Sequence, residues 1–327
     1  MAAPQRQDLD AVPPIAHELL DLLQCPVSGE PLHWDGRRLI SANQRHQYPI
    51  TASGIPVIGA EHWSREGRAQ SEHYDRVASN YLKNLTYAHT QEYMSYLDRA
   101  MLQVTDGAVL DTVAELCCGR GEALQLLRPH IGRGVGVDVS LRMLEAGRAE
   151  LPRDRFLFVQ GDATLLPLRS RCFDSVFMLG GIHHVNDRAR LFAEVFRILR
   201  PGGGFYWREP VSDFLPWRFL RHMVYRFSSG LEHQTERPLR LRETWPVLQS
   251  VGFQPQSWRT FGFIGYCLLM NSDILVFNRA FHRVPGIRAI TRWAACLDDI
   301  TVRLPGFEHA GLQVVGCARK PADCKER

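Results

Sequence analysis

Three carboxylates and four glycines recur within or just after apolar runs. They stand in Val113-Ala114-Glu115-Leu116-Cys117-Cys118-Gly119-Arg120-Gly121, in Gly136-Val137-Asp138 and in Gln160-Gly161-Asp162-Ala163. Glycine lets the backbone approach a ligand closely and takes positive φ at little cost. A Gly-x-Gly alone equally fits a plain strand–helix turn. Asp138 follows Gly121 by 17 residues and can accept hydrogen bonds from both hydroxyls of a ribose. Asp162 can accept from an adenine amino group. The Gly-x-Gly-x-x-Gly spacing of nicotinamide enzymes is absent, because residue 124 is Leu.

The elements that must position these residues follow from the hydrophobic pattern. Strands are expected at 113–117, 134–139, 156–160, 173–179 and 205–208. Helices are expected from Glu122, from an N-cap at Ser140, and over Asn186–Leu199, where Leu191, Phe192, Val195, Phe196 and Leu199 share a face. Strands alternating with helices imply a parallel sheet covered on both faces, with ligands bound at the strand C-termini. The expected fold is α/β, with a Rossmann-like, mostly parallel seven-stranded sheet. A small β-rich N-terminal domain and helical insertions near the C-terminus complete it. Residues 61–107 read as helical, 257–263 and 312–318 as the last strands.

The ordered series of motifs resembles the class I S-adenosylmethionine-dependent methyltransferases. Their first motif reads acidic-x-Gly-x-Gly-x-Gly, and here Glu115, Cys117, Gly119 and Gly121 fill it. Gly161-Asp162-Ala163, Phe173-Asp174, Ile182-His183-His184-Val185 and Leu199-Arg200-Pro201-Gly202-Gly203 are similar to later motifs. Tyr74-Asp75-Arg76-Val77-Ala78-Ser79-Asn80-Tyr81 is similar to the helix before the sheet. The resemblance runs over roughly residues 70–260. It implies a cofactor pocket of Tyr74, Tyr81, Glu115, Cys117, Gly119, Gly121, Asp138, Val139, Asp162, Ala163 and Leu179. Glu115 would sit near the methionine ammonium, Asp138 on the ribose, and Asp162 with Ala163 on the adenine. S-adenosyl-L-homocysteine would be the product. Cys117 departs from the motif's first glycine.

Residues 1–14 are expected to be a flexible N-terminus and 15–60 a unit of their own. Leu22-Leu23-Gln24-Cys25-Pro26-Val27-Ser28 and Gln47-Tyr48-Pro49-Ile50 resemble the small zinc ribbon that activates tRNA methyltransferases. A zinc site of that kind needs two close cysteine pairs. Here Ser28, Ser41 and Gln44 stand beside the lone Cys25, so the expectation is a degenerate ribbon with no metal.

Residues 61–327 would form the methyltransferase domain. An activated sulfonium methyl needs an aligned nucleophile and, for some acceptors, a base. Glu209, His183, His184, Asp213 and His233 are candidates, with Glu209 first because it follows the fifth strand. Insertions 211–240 and 265–310 would shape the acceptor pocket. Residues 211–310 hold 12 Arg, no Lys and 8 acids. With the apolar run Phe261–Met270, this fits either a packed helical subdomain or an apolar pocket with an anionic group at its rim.

The chain has 327 residues, 45% of them hydrophobic, and a net charge of +4. Such a charge does not by itself imply nucleic acid. No apolar core of a signal peptide lies in 1–14, and Phe261–Met270 falls short of the ~20 residues that span a bilayer. Eight scattered cysteines read as reduced thiols. The expectation is a soluble cytoplasmic enzyme of secondary metabolism acting on a small or lipid-like acceptor, with a homo-oligomer left open. The alternatives are an RNA guanine methyltransferase and a member that binds S-adenosylmethionine without methylating.

Overall fold

A computed structural model describes residues 15–227, 237–270 and 276–323. The N-terminal unit begins with α1 (His17–Leu20) and continues into a three-stranded antiparallel meander. Its strands are β1 (Leu32–Trp34), β2 (Arg38–Ser41) and β3 (Gln47–Pro49). Leu32, Leu39 and Tyr48 are buried in it and join the main core through Leu19, Leu22 and Leu23. The Cys25 thiol is buried and lies 3.1 Å from the Tyr48 hydroxyl. Among the described residues no three His, Cys, Asp or Glu side chains gather as metal ligands would.

Two long helices, α2 (Arg65–Leu85) and α3 (Ala88–Val104), lead into the sheet. There β4 (Thr112–Leu116), α4 (Glu122–Leu126), β5 (Arg133–Asp138), α5 (Leu141–Arg148), β6 (Phe156–Gln160), β7 (Phe173–Leu179), α6 (Arg188–Ile198) and β8 (Leu199–Pro210) alternate. α7 (Leu215–Phe227), α8 (Leu241–Val251), β9 (Gln254–Phe261), α9 (Ile264–Leu269), a 3₁₀ segment over Val276–Arg283, α10 (Ile287–Thr301) and β10 (Gln313–Arg319) complete the chain.

The seven strands run in the order β6-β5-β4-β7-β8-β10-β9. Strands β4 to β8 pair in parallel, while β10 is antiparallel to both β8 and β9. A parallel sheet buried on both faces needs near-continuous apolar strands. β6 accordingly reads Phe-Leu-Phe-Val-Gln and is buried throughout. β8 begins earlier than expected because Leu199 pairs with Phe173 and the Gly202 amide donates to the Lys320 carbonyl.

Helix starts follow their caps. Ser64 accepts from the Gly67 amide, Ser140 from Met143 and Asp187 from Arg190. α2 buries only Gln70, Ala78 and Asn84. Hydrogen bonds to the ends of the strands hold it in place. Among the described residues no helix is long and apolar enough to cross a membrane.

Candidate active site

The C-terminal ends of β4 to β7 open into a cavity of about 250 Å³ that α2 covers. Tyr74, Tyr81, Cys117, Gly119, Asp138, Val139, Asp162, Ala163, Leu179 and His184 line it. Glu115, Gly121, His183 and Glu209 do not. His233 lies outside the described residues.

The turn after β4 is built for close approach. Gly119 and Gly121 have φ of 51° and 82°, the left-handed region where a side chain costs energy. Cys117 also stands there, at φ 48°. The structure makes room for it at Gly181, where an added Cβ would lie 2.4 Å from the Cys117 Cβ. Burial pushes the Cys117 thiol well above its usual range, so it stays protonated.

Asp138 ends β5. One of its oxygens accepts from the Gly119 amide at 2.8 Å and the other from the Ser140 amide at 2.8 Å. The Val139 amide adds to these bonds, and a carboxylate accepts about four in all, so acceptor capacity remains. Burial raises the Asp138 pKa against the pull of these backbone bonds.

Two expectations are corrected by the hydrogen bonding. Glu115 does not reach the cavity. Its two oxygens accept from the amides of Ala123 and Leu124, both at 2.9 Å, and it is buried under the start of α4. Burial pushes it up to about 8. Asp162 lines the cavity, but its acceptor positions are taken. One oxygen receives the Ser64 amide and hydroxyl at 2.8 and 2.6 Å, the other the Thr164 amide and hydroxyl, both at 2.7 Å. No position remains for an adenine amino group while α2 is docked. Asp162 instead anchors the first turn of α2.

α2 reaches the neighbouring strand ends as well. Ser71 donates to the Val139 carbonyl, Ser140 donates to Asp75, and the Tyr74 hydroxyl lies 2.9 Å from His184 Nε2. Burial holds His184 well below the usual histidine range, so it is neutral there. Further along, Tyr81 donates to Glu122, which pairs with Arg208; Asp98 pairs with Arg208 from the other side. That buried network joins α2, α3 and α4 to β8, and no single motif announces it.

Glu209 is fully buried. It accepts from the amides of Gly181 and Ile182 at 2.7 and 2.8 Å and lies 2.8 Å from His183 Nδ1. The expectation that Glu209 itself meets an acceptor is therefore corrected: it orients His183, whose side chain is 13% exposed. Asp213 accepts from the Leu241 amide and lies outside the cavity. Beyond His183, whose carbonyl accepts from the Arg237 amide, a second hollow of about 690 Å³ is lined by Arg218, Arg221, Arg237 and Arg240, with Leu215 and Phe219.

Carboxylates outnumber guanidinium groups on the wall of the covered cavity. Glu66, Glu122, Asp138, Asp162 and Asp187 face Arg120 and Arg190. Arg120 is paired with Glu150, and Arg190 donates to the Thr164 carbonyl. With His184 neutral, the cavity suits a ligand carrying positive charge.

Known proteins resemble this chain in sequence and in fold. Residues 114–207 match the family model of a methyltransferase domain. The chain is 26% identical over 218 residues to the demethylmenaquinone methyltransferase of Lactiplantibacillus plantarum, covering 58% of this chain and 90% of that protein. It is 30% identical over 157 residues to the demethylmenaquinone methyltransferase of Lactococcus lactis subsp. lactis, covering 46% and 62%. A ubiquinone/menaquinone biosynthesis C-methyltransferase UbiE of Xylella fastidiosa is 30% identical over 146 residues, 39% of this chain and 56% of that protein. These last two alignments span roughly three fifths of the relatives' own length. The 4+2 cyclase SpnF has the same fold, with a TM-score of 0.55 at 20% identity, over 79% of this chain and 98% of that one. So does a chain from the Haloferax volcanii complex of the Trm112 methyltransferase activator with a methyltransferase, with a TM-score of 0.50 at 21% identity, over 77% and 98%. By its matched domain and its relatives the chain is similar to S-adenosylmethionine-dependent methyltransferases, and its sheet has the fold of those solved structures.

Proposed function

We propose that S-adenosylmethionine occupies the cavity beneath α2 and that its methyl group passes to a small, lipid-like acceptor. The observation that carries this reading is Asp138. It ends β5 with acceptor capacity left, beside the glycine turn, which suits ribose hydroxyls. The surplus of carboxylates around the cavity favours a cationic ligand. The cofactor supplies a methyl already activated by its sulfonium.

The chain's own residues align the acceptor and take its proton. Glu209, fixed by two backbone amides, holds His183 Nδ1 and thereby directs Nε2 outward as the base. The acceptor would enter from the side of the arginine-lined hollow, whose Leu215 and Phe219 are exposed. An apolar body with an anionic group fits that lining. The quinone-precursor methyltransferases among the relatives support an acceptor of this kind.

The reaction is not fixed by fold, since a cyclase shares it. Transfer of labelled methyl from S-adenosylmethionine to lipid, small-metabolite and RNA fractions of an extract tests the reading. Label in the lipid fraction is expected. Label in RNA alone would favour the guanine methyltransferase alternative, and label in no fraction would favour a member that does not methylate. We also propose that the N-terminal unit holds no metal. One zinc per chain by elemental analysis would refute that.

A further inference from the structure

α10 carries two apolar faces. One is the ordinary inner face: Ile287, Thr291, Ala295 and Asp298 are buried. Asp298 accepts from the amides of Phe263, Gly265 and Tyr266, so this face is firmly docked. The other face points away from the core. Ile290, Trp293, Leu297 and Ile300 recur at helical spacing and continue to Leu304, and all five are exposed, Trp293 by 72% and Leu297 by 61%. A soluble surface helix places polar residues there. The exposed Phe277 precedes α10, and the exposed Ile264 and Leu268 lie on α9, which packs against it. Together they exceed the scattered apolar residues normal on a surface. The stripe lines neither of the cavities described above.

The exposed charges along this stretch are arginines, in excess over the part-buried Glu92 of α3, which pairs with Arg288 and Arg292. From 277 to 304, every fully exposed residue among the Asp, Glu, Lys and Arg is an arginine: Arg283, Arg288, Arg292 and Arg303. Asp298 is buried, and Asp299 is half-buried between Tyr96 and Arg303. Two copies meeting through this face would bring arginines together, which disfavours self-association. Apolar side chains including a tryptophan, bordered by arginines, are what a helix lying in the plane of an anionic bilayer presents. Long arginine stems can bury their methylenes while the guanidinium groups meet lipid phosphates.

We propose that α10 docks this protein on the surface of an anionic lipid bilayer, with the stripe from Ile290 to Leu304 set into the headgroup boundary. The inference concerns where the enzyme works and does not depend on the methyl donor or the acceptor. Its test therefore needs no catalysis and can fail while the proposed function stands.

Flotation of the full chain with vesicles tests it, comparing phosphatidylcholine alone with an equal mixture of phosphatidylcholine and phosphatidylglycerol. Binding to the mixed vesicles is expected, weaker on neutral vesicles and weaker in high salt. Trp293→Glu with Leu297→Glu should weaken it by about tenfold or more, as two apolar side chains leave the interface. Both positions are exposed, so circular dichroism and S-adenosylmethionine binding should match the parent. Absence of binding to mixed vesicles, or binding that survives the double substitution, would overturn the proposal. So would a stable dimer in solution that the same substitutions dissociate, since the stripe would then belong to a second copy.

Discussion

The Glu209 carboxylate lies 2.8 Å from His183 Nδ1 while two backbone amides, those of Gly181 and Ile182, donate to its other oxygen. A side chain held on both oxygens is a positioning group. Glu209→Gln would turn a hydrogen-bond donor toward donors and release His183. Methyl transfer to the acceptor should fall by about two orders of magnitude or more, with S-adenosylmethionine affinity nearly unchanged. His183→Asn should give a comparable loss. A normal rate with both variants would remove His183 from the chemistry.

Ser64 joins α2 to β6 through Asp162, across 98 residues of sequence. Ser64→Ala removes a helix cap and one of four hydrogen bonds to a buried carboxylate. It should destabilise α2 by about 1–3 kcal/mol. Because α2 buries so little apolar surface, the loss should appear as local opening before global unfolding. Faster proteolysis within 65–85 and a lower urea midpoint would show it. Unchanged proteolysis would mean that the other contacts of α2 suffice.

Cys117 and Gly181 share one space. Gly181→Ala should collide with Cys117 and weaken S-adenosylmethionine binding. Adding Cys117→Gly should restore it, because the displaced volume and the left-handed strain leave together. Equal affinity of the single and double variants would show that the two positions do not interact.

His184 gives the stability a pH dependence. Burial lowers its pKa well below 6.5 in the folded chain, whereas the unfolded chain keeps the ordinary value. The unfolded state therefore takes up a proton first as the pH falls. The contribution is complete above about 6.5 and is lost as the pH drops through and below that value. Glu115, raised by burial to about 8, pulls the opposite way between pH 8 and pH 5, so the denaturation midpoint of the parent should decline relative to that of His184→Gln as the pH falls. A decline of the same steepness in the variant would assign it to other groups.

Much of the sheet was legible in the chain. β6 and β7 have the limits expected from their apolar runs, because strands covered on both faces carry their burial in composition. α6 likewise shows its apolar face, through Leu191, Phe192 and Val195. Local spacing could not show which oxygens of Asp162 and Glu115 were already taken. Their partners are Ser64, almost a hundred residues away, and the first amides of α4. Glu209 was identified as important for its place after the fifth strand, yet its role depends on burial and on His183, neither readable from one strand. The outward face of α10 is visible in the sequence as helical spacing. Only packing shows that the core uses the other side.

The central claim is that the covered cavity holds S-adenosylmethionine through Asp138. Calorimetric titration of the purified chain with S-adenosylmethionine, beside Asp138→Ala, tests it most directly. Saturable binding at one site per chain is expected, weakened about tenfold or more in the variant by loss of charge-assisted hydrogen bonds. Binding by neither protein, or equal binding by both, would contradict it.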